Sequence, residues 1–154
     1  MKLFVLFIIF LFSGDVFALN DDYEAALKSF NQKDVDTAYI QVRNALQENP
    51  DNLPAKILMA EILIELKSYN KAEMELKRAI RQRADINLLI DPLGKSLLYQ
   101  GKFSEVLDVV LNDDLGRQGK VAFSLLKASA YQGLKDPEKA KLEYLTVLDL
   151  DANN

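Results

Sequence analysis

Cysteine, histidine and tryptophan are all missing from the 154 residues. The first two absences remove the usual zinc ligand sets, the thiol nucleophile, the Ser/His/Asp triad and the imidazole switch that works near neutral pH. Most catalytic templates therefore have no residues to occupy. An excess of positive charge is missing as well. The chain carries 19 basic against 23 acidic side chains, a formal net charge of -4, and such a surface repels nucleic acid and anionic membrane at long range. No apolar run reaches spanning length: the longest, Leu3 to Phe12, is about half of the roughly twenty residues that a transmembrane helix needs. At 49% hydrophobic and 27% charged, the composition suffices for one modest domain and not for two.

The first eighteen residues read as an address. Lys2 and the terminal amine give a short positive start, the apolar run follows, Gly14 and Asp15 stop it, and Val16-Phe17-Ala18 offers the small residues that a signal peptidase reads. Residues 1–18 are expected to be a cleaved signal peptide rather than an anchor. No Cys follows the run to accept a lipid, so the mature chain is expected to be periplasmic or secreted, without an integral membrane anchor after cleavage.

From Leu19 onward the sequence repeats itself at about 34 residues. Four blocks, 19–52, 53–86, 87–120 and 121–154, leave nothing over. Ala26, Ala60, Gly94 and Ala128 fall at one place in that frame, and Ala38, Ala72, Val106 and Ala140 at another. Each block holds two apolar stripes at three- and four-residue steps, as in Met59, Leu63 and Leu66 followed by Ala72, Leu76, Ala79 and Ile80. Between the stripes stand Lys33-Asp34, Lys67-Ser68, Gly101-Lys102 and Lys135-Asp136, which suit a tight turn between two helices. The small residues have a steric reason: helices packed at roughly 8–10 Å need short side chains where their axes come closest. Val35, Tyr69 and Phe103 share the place that closes each turn over the core, and Pro137 takes it in the last block as a first-turn proline. Pro50 ends the second helix of the first block. Repeats of this kind bury their apolar faces only against neighbours and leave a curved surface with a groove.

Small residues at the eighth, twentieth and twenty-seventh places (the last Ala45, Ala79 and Val147), a large apolar residue at the seventeenth, and Pro50 at the thirty-second resemble the tetratricopeptide repeat family. The runs Val42-Arg43-Asn44-Ala45-Leu46-Gln47-Glu48-Asn49-Pro50 and Pro92-Leu93-Gly94-Lys95-Ser96-Leu97-Leu98-Tyr99-Gln100-Gly101-Lys102-Phe103 are similar to the exosortase-associated (PEP-CTERM) members found beside bacterial exopolysaccharide genes. The resemblance implies an all-α, right-handed α-solenoid of four antiparallel helix pairs, without cofactors. It also implies a partner-binding groove lined by the first helix of each pair. Tyr23, Leu27 and Phe30 would come from the first block, and Ile57, Glu61, Ile64 and Glu65 from the second. The third would supply Asp91, Lys95, Leu98 and Tyr99, and the fourth Leu125 and Ser129. Family members that clamp a peptide's terminal carboxylate place Lys, Asn and Arg at such positions. Glu61 and Glu65 stand there instead, so the expected groove is apolar with an acidic rim and suits an extended or helical segment with apolar anchors and some basic residues. The competing reading packs Ile57, Ile64, Leu98 and Leu125 against adjacent repeats.

Three places depart from the pattern. Pro92 lets the first helix of block three either start at Asp91 or run on from Asn87 with a kink. Its second helix is expected to fade after Leu111 into a loose joint over Asn112 to Lys120, where Gly116 and Gly119 interrupt. The last helix carries Leu142, Tyr144, Leu145, Val147, Leu148 and Leu150, more apolar surface than one neighbour covers. A partner, self-association or a further repeat of a longer array would each cover it. Two charged clusters have plain readings. Lys77, Arg78, Arg81 and Arg83 complement the carbonyl end of a helix. Glu61, Glu65 and Asp91 read as solvated carboxylates before they read as the acid and base of a glycan hydrolase. The expected function is a non-enzymatic protein-protein scaffold of the bacterial envelope, with exopolysaccharide assembly or export as its setting.

Overall fold

The computed structural model describes residues 18–109 and 115–152, and among these every regular element is helical. In order they are α1 (Ala18–Asn31), α2 (Val35–Glu48), α3 (Leu53–Glu65), α4 (Tyr69–Arg81), α5 (Ile86–Tyr99), α6 (Phe103–Leu107), α7 (Arg117–Gly133) and α8 (Pro137–Ala152). The signal peptide expected over 1–18 lies outside the described residues apart from Ala18, which opens α1. Asn112, Asp113 and Asp114 lie outside them too. Each helix packs on the next in sequence, and the first helices also touch in a row, α1 on α3, α3 on α5 and α5 on α7. The fold is an α-solenoid.

One turn closes every pair. Lys33, Lys67, Gly101 and Lys135, spaced 34 residues apart, have φ of 65°, 57°, 72° and 61°, in the left-handed region. The N–H of the residue after each donates to the carbonyl five residues back: Asp34 to Ser29 (3.0 Å), Ser68 to Leu63 (2.7 Å), Lys102 to Leu97 (3.0 Å) and Asp136 to Tyr131 (2.9 Å). The left-handed residues donate three back, to Phe30, Ile64, Leu98 and Gln132. Together these bonds form a Schellman motif, which satisfies the last carbonyls of a helix. In the first and fourth pairs the next residue then caps the second helix. Asp34 Oδ1 accepts the Thr37 N–H (3.2 Å) and Asp136 Oδ1 the Lys139 N–H (3.1 Å).

The places reserved for small residues are where helices meet. Ala26, Ala38, Ala60, Ala72, Val106 and Ala128 have no exposed surface and Ala140 has 2%. Gly94 is the tightest: a Cβ built on it would lie 2.4 Å from Leu126 Cδ1, so an alanine there would force the Leu126 side chain to move. Proximity at this point compensates for a short neighbour. The helix α6 has five residues and ends before Asp108, earlier than the expected fade after Leu111. With so little of a second helix in the third pair, α7 rests directly on α5. Asn87 joins their starts, its Oδ1 accepting the Gly116 N–H at 2.9 Å. Helix α7 begins at Arg117, so the loose joint expected to reach Lys120 stops short of it. Of the two readings of Pro92, the continuous one holds: α5 starts at Ile86 behind the N-cap Asp85, and Pro92 is buried within it.

A buried carboxylate ties the second pair to the third. Glu73 of α4 is 7% exposed. It receives Lys77 Nζ at 2.5 Å, Lys102 Nζ at 2.7 Å and Gln100 Nε2 at 2.9 Å. Burial alone would raise its pKa, but the hydrogen bonds from Lys102, Lys77 and Gln100 outweigh that and hold it at about 2. These same side chains, rather than deep protein, cover it, and Lys77 remains 44% exposed. The basic cluster is thus only partly a helix-end device. Arg78 and Arg81 occupy the last turn of α4, while Lys77 serves Glu73 and Glu105, and Arg83 sits in a left-handed turn (φ 60°) beyond the helix.

Three measurements test these packing and capping roles. Replacing Lys33, Lys67 or Lys135 by Gly should stabilise the chain by about 0.5–1 kcal/mol each in urea unfolding, since a left-handed L-residue costs about 1 kcal/mol that glycine avoids. Gly94→Ala should destabilise by about 1–3 kcal/mol despite the gain in helix propensity of about 1 kcal/mol, because Leu126 must move. Glu73 is held below its unfolded value of 4.5. Its contribution is therefore present above pH 4.5 and fades as pH falls toward its folded value. Allowing for solvent around its partners, about 1–2 kcal/mol should disappear over that interval in the wild type and not in Glu73→Gln.

Candidate functional site

The first helices present one side to the core and the other to a concave wall. Two adjoining hollows lie along that wall. The larger, about 730 Å³, is formed by α5 and α7 with the end of α8, and is lined among others by Asp91, Lys95, Leu98, Arg117, Gln118, Leu125, Ser129 and Asp151. The smaller, about 190 Å³, is lined by Phe30, Glu61, Ile64, Glu65, Asp91, Pro92 and Lys95. Asp91 and Lys95 belong to both. One helical turn apart on α5, they form an ion pair of 2.5 Å that stands as a ridge between the hollows.

Of the residues expected in the groove, Phe30, Glu61, Ile64, Glu65, Asp91, Lys95, Leu98, Leu125 and Ser129 therefore border these hollows. Tyr23, Leu27 and Ile57 do not; they are half-buried and pack against the core. Phe30, Ile64 and Leu98 do both, resting on the core and bordering a hollow. Leu125 is 42% exposed and is the most open apolar group in the larger hollow. Tyr99 departs from expectation: its ring stacks on Tyr69 at the start of α4, centroids 4.9 Å apart. The stacking joins two repeats while the residue stays 60% exposed.

Arg117, Gln118 and Asp151 were not legible as groove residues. Arg117 and Gln118 fell in a stretch read as a joint, without an apolar period to mark it as helix. Asp151 comes from a second helix, which the repeat pattern keeps away from the groove. Arg117 brings it there, donating through its guanidinium to the carbonyls of Leu150 and Asp151. Gly116, which stands at the N-cap of α7, was the available signal.

Negative charge dominates the wall. Glu61, Glu65, Asp91 and Asp151 face Lys95 and Arg117, both of which are engaged within the protein. The side chain of Glu61 is accessible, yet the concave wall displaces enough water around its carboxylate to raise its pKa. Lys95 opposes that shift and Asp91 adds to it. Burial, Glu24 and Glu61 raise the Tyr23 phenol as well, keeping it neutral. Among the described residues no group of three or more acidic side chains is placed to hold a metal ion, and no helix is long and apolar enough to cross a membrane.

Residues 18–98, over half of the chain, match a tetratricopeptide repeat model, and residues 123–154 match a second one. The chain belongs to the tetratricopeptide repeat family. The stretch between the two matches holds the truncated α6 and the start of α7, where the repeat departs most from its siblings. No curated protein matches the chain. As in tetratricopeptide repeats generally, the architecture is that of an interaction scaffold, and the residues along the groove decide what is held.

The charges around Glu61 set the expected order of its midpoints in a carboxylate NMR titration. Wild type should titrate above the ordinary glutamate value, Lys95→Met higher still, and Asp91→Asn lower than wild type, following the direction of each influence. An unchanged midpoint in both variants would mean that the ridge does not act on Glu61.

Proposed function

We propose that the chain is a non-enzymatic scaffold of the bacterial envelope that holds a protein segment in its concave groove. The observation carrying this reading is the combination along one wall of Phe30, Ile64, Leu98 and Leu125 with carboxylates that outnumber cations. A helical or extended segment with apolar side chains at regular spacing and a few Lys or Arg residues complements such a wall. The address read from residues 1–18 supports a periplasmic or secreted setting, and the resemblance to exosortase-associated tetratricopeptide proteins supports a place in exopolysaccharide assembly or export. A glycan hydrolase using Glu61 and Glu65 is the weaker reading. The raised Glu61 carboxyl is what favours it, but both side chains stand exposed on an open wall, and general acid-base work at a glycosidic bond relies on an enclosed site.

In vivo cross-linking followed by purification tests the groove. Wild type should retain a partner that Leu125→Asp loses, while helix content and melting stay close to wild type, since Leu125 is largely on the surface. Glu61→Lys should weaken capture more at low than at high ionic strength, because rim charges act chiefly through screened attraction. Recovery of the same partners at the same yield from all three proteins would place the binding face elsewhere.

A further inference from the structure

On the side of the second helices, α2 and α4 each pack on α3 and not on one another. The trough between them holds two hollows, about 360 and 400 Å³, that share Leu46 and Glu75 and so form one channel. Its half beside the start of α4 is apolar. Met59 and Leu63 make a nearly covered floor between Tyr39 of α2 and Met74 of α4, and Met74 is 53% exposed. A cavity of roughly 150 Å³ admits one benzene-sized group, so this half has room for two apolar side chains. Methionine suits such a place, since its unbranched chain reshapes around what enters.

Charge decides what kind of segment brings those side chains. Lys56 pairs with Asp51 at 3.5 Å and Arg78 with Glu75 at 2.7 Å. On α2, the exposed Arg43 and Asp36 stand two turns apart on the Tyr39 side and offset each other, while Glu48 falls on the opposite side of that helix. Lys71 and Arg81 are left unbalanced. Both are exposed, they line the channel toward its two ends, and neither has an acidic partner among the described residues. The channel is therefore basic where the concave wall is acidic.

We propose that the channel between α2 and α4 is a second docking surface, and that its occupant is an acidic amphipathic helix of a partner protein. Helix rather than strand follows from the backbone. The flanking helices satisfy their own N–H and C=O groups and offer no edge, so an extended segment would leave its backbone unpaired over Met59 and Leu63. A helix arrives with its backbone already paired. Lys71 and Arg81 are ten residues, about 15 Å, apart along α4. Glutamates at i and i+11 with leucines at i+4 and i+7 share one helix face over about 16 Å, and so meet a cation at each end with apolar sites between. The channel and the groove differ in place and in sign. One scaffold thus holds an acidic and a basic partner without competition, and the channel does not depend on what the groove holds.

A synthetic stapled helix of that pattern, titrated into the full chain, tests it with the methyl NMR signals of Met59 and Met74 as readout. Both methionines line the channel and neither lines the groove, so their signals report where the helix lies. Both should shift saturably, with an affinity tighter than about 1 mM. Glutamine in place of the two glutamates of the synthetic helix should weaken binding about three- to tenfold at low salt and less at about 0.5 M. Serine in place of its two leucines should weaken it at least about tenfold. Lys71→Glu combined with Arg81→Glu should invert the preference, so that a lysine version of the helix binds at least about threefold more tightly than the glutamate version. Both positions are on the surface, and thermal melting checks that the variant is folded. Four results would overturn the proposal: no shift at about 1 mM helix, equal affinity for the glutamate and glutamine helices, a preference that does not invert, or methyl signals that move on concentrating the protein alone, as a second copy in the channel would make them.

Discussion

At the eighth and twentieth places of each repeat stand alanine, glycine or valine, all buried between neighbouring helices. Larger residues on either side, such as Leu63, Leu76 and Leu97, are then able to interlock around the small ones. Each pair seals its core only with the help of its neighbours in the row. Stability and shape thus share a cause. The packing that buries Ala60 and Ala72 also obliges the first helices to line up side by side, and that row is the concave wall. The left-handed turns serve the same end: a Schellman motif at Lys33, Lys67, Gly101 and Lys135 fixes the angle at which every second helix returns.

The groove owes its larger hollow to a failure of the repeat. Were α6 as long as α2 or α4, α7 would be expected to rest mainly on it. Its five residues bring α7 onto α5 instead, with Gly94 beneath Leu126 and Asn87 held to Gly116. The approach at Gly94 sits beside Lys95 and Leu98 on one helix and Leu125 and Ser129 on the other, the residues that line the hollow. A fourth alanine in place of Gly94 would displace the Leu126 side chain that packs there. The departure from periodicity is therefore part of how the site is shaped, and the glycine that looks like one more small residue in the frame has a separate task.

Much of the fold was legible because its signals are local and recur. Ala26, Ala60 and Ala128 announce close helix contacts by position alone, and Pro50 and Pro137 mark ends that the structure keeps. Local rules failed where a distant partner decides. Pro92 permits a helix start, but Asp85 caps the chain earlier and burial holds Pro92 mid-helix. Tyr99 occupies a groove place in the frame, yet Tyr69, thirty residues back in sequence, offers a ring to stack on. Tyr23, Leu27 and Ile57 had an apolar stripe in common with the residues that border the hollows, and a stripe does not say which of its members the neighbouring repeat will cover. Glu73 had no sequence signal as a buried hub, because its partners Gln100 and Lys102 come from the next repeat.

Two carboxylates, Glu73 on α4 and Glu61 on α3, show how similar chemistry takes on different work by location. Glu73 has three donors and little water, so it stays ionised and clamps two repeats together. Glu61 faces a wall that desolvates it, with Lys95 as its nearest opposing charge, and Lys95 is already bound to Asp91. A carboxylate in that position is stabilised by any cation brought to it. A guanidinium or ammonium arriving on a partner would join Asp91 and Glu61 without first having to break a bond to Glu61. Its own desolvation is offset by charges the groove has already gathered. On the proposed reading, apolar contacts with Ile64 and Leu125 would then add affinity, while the carboxylates would select among apolar segments for those carrying positive charge.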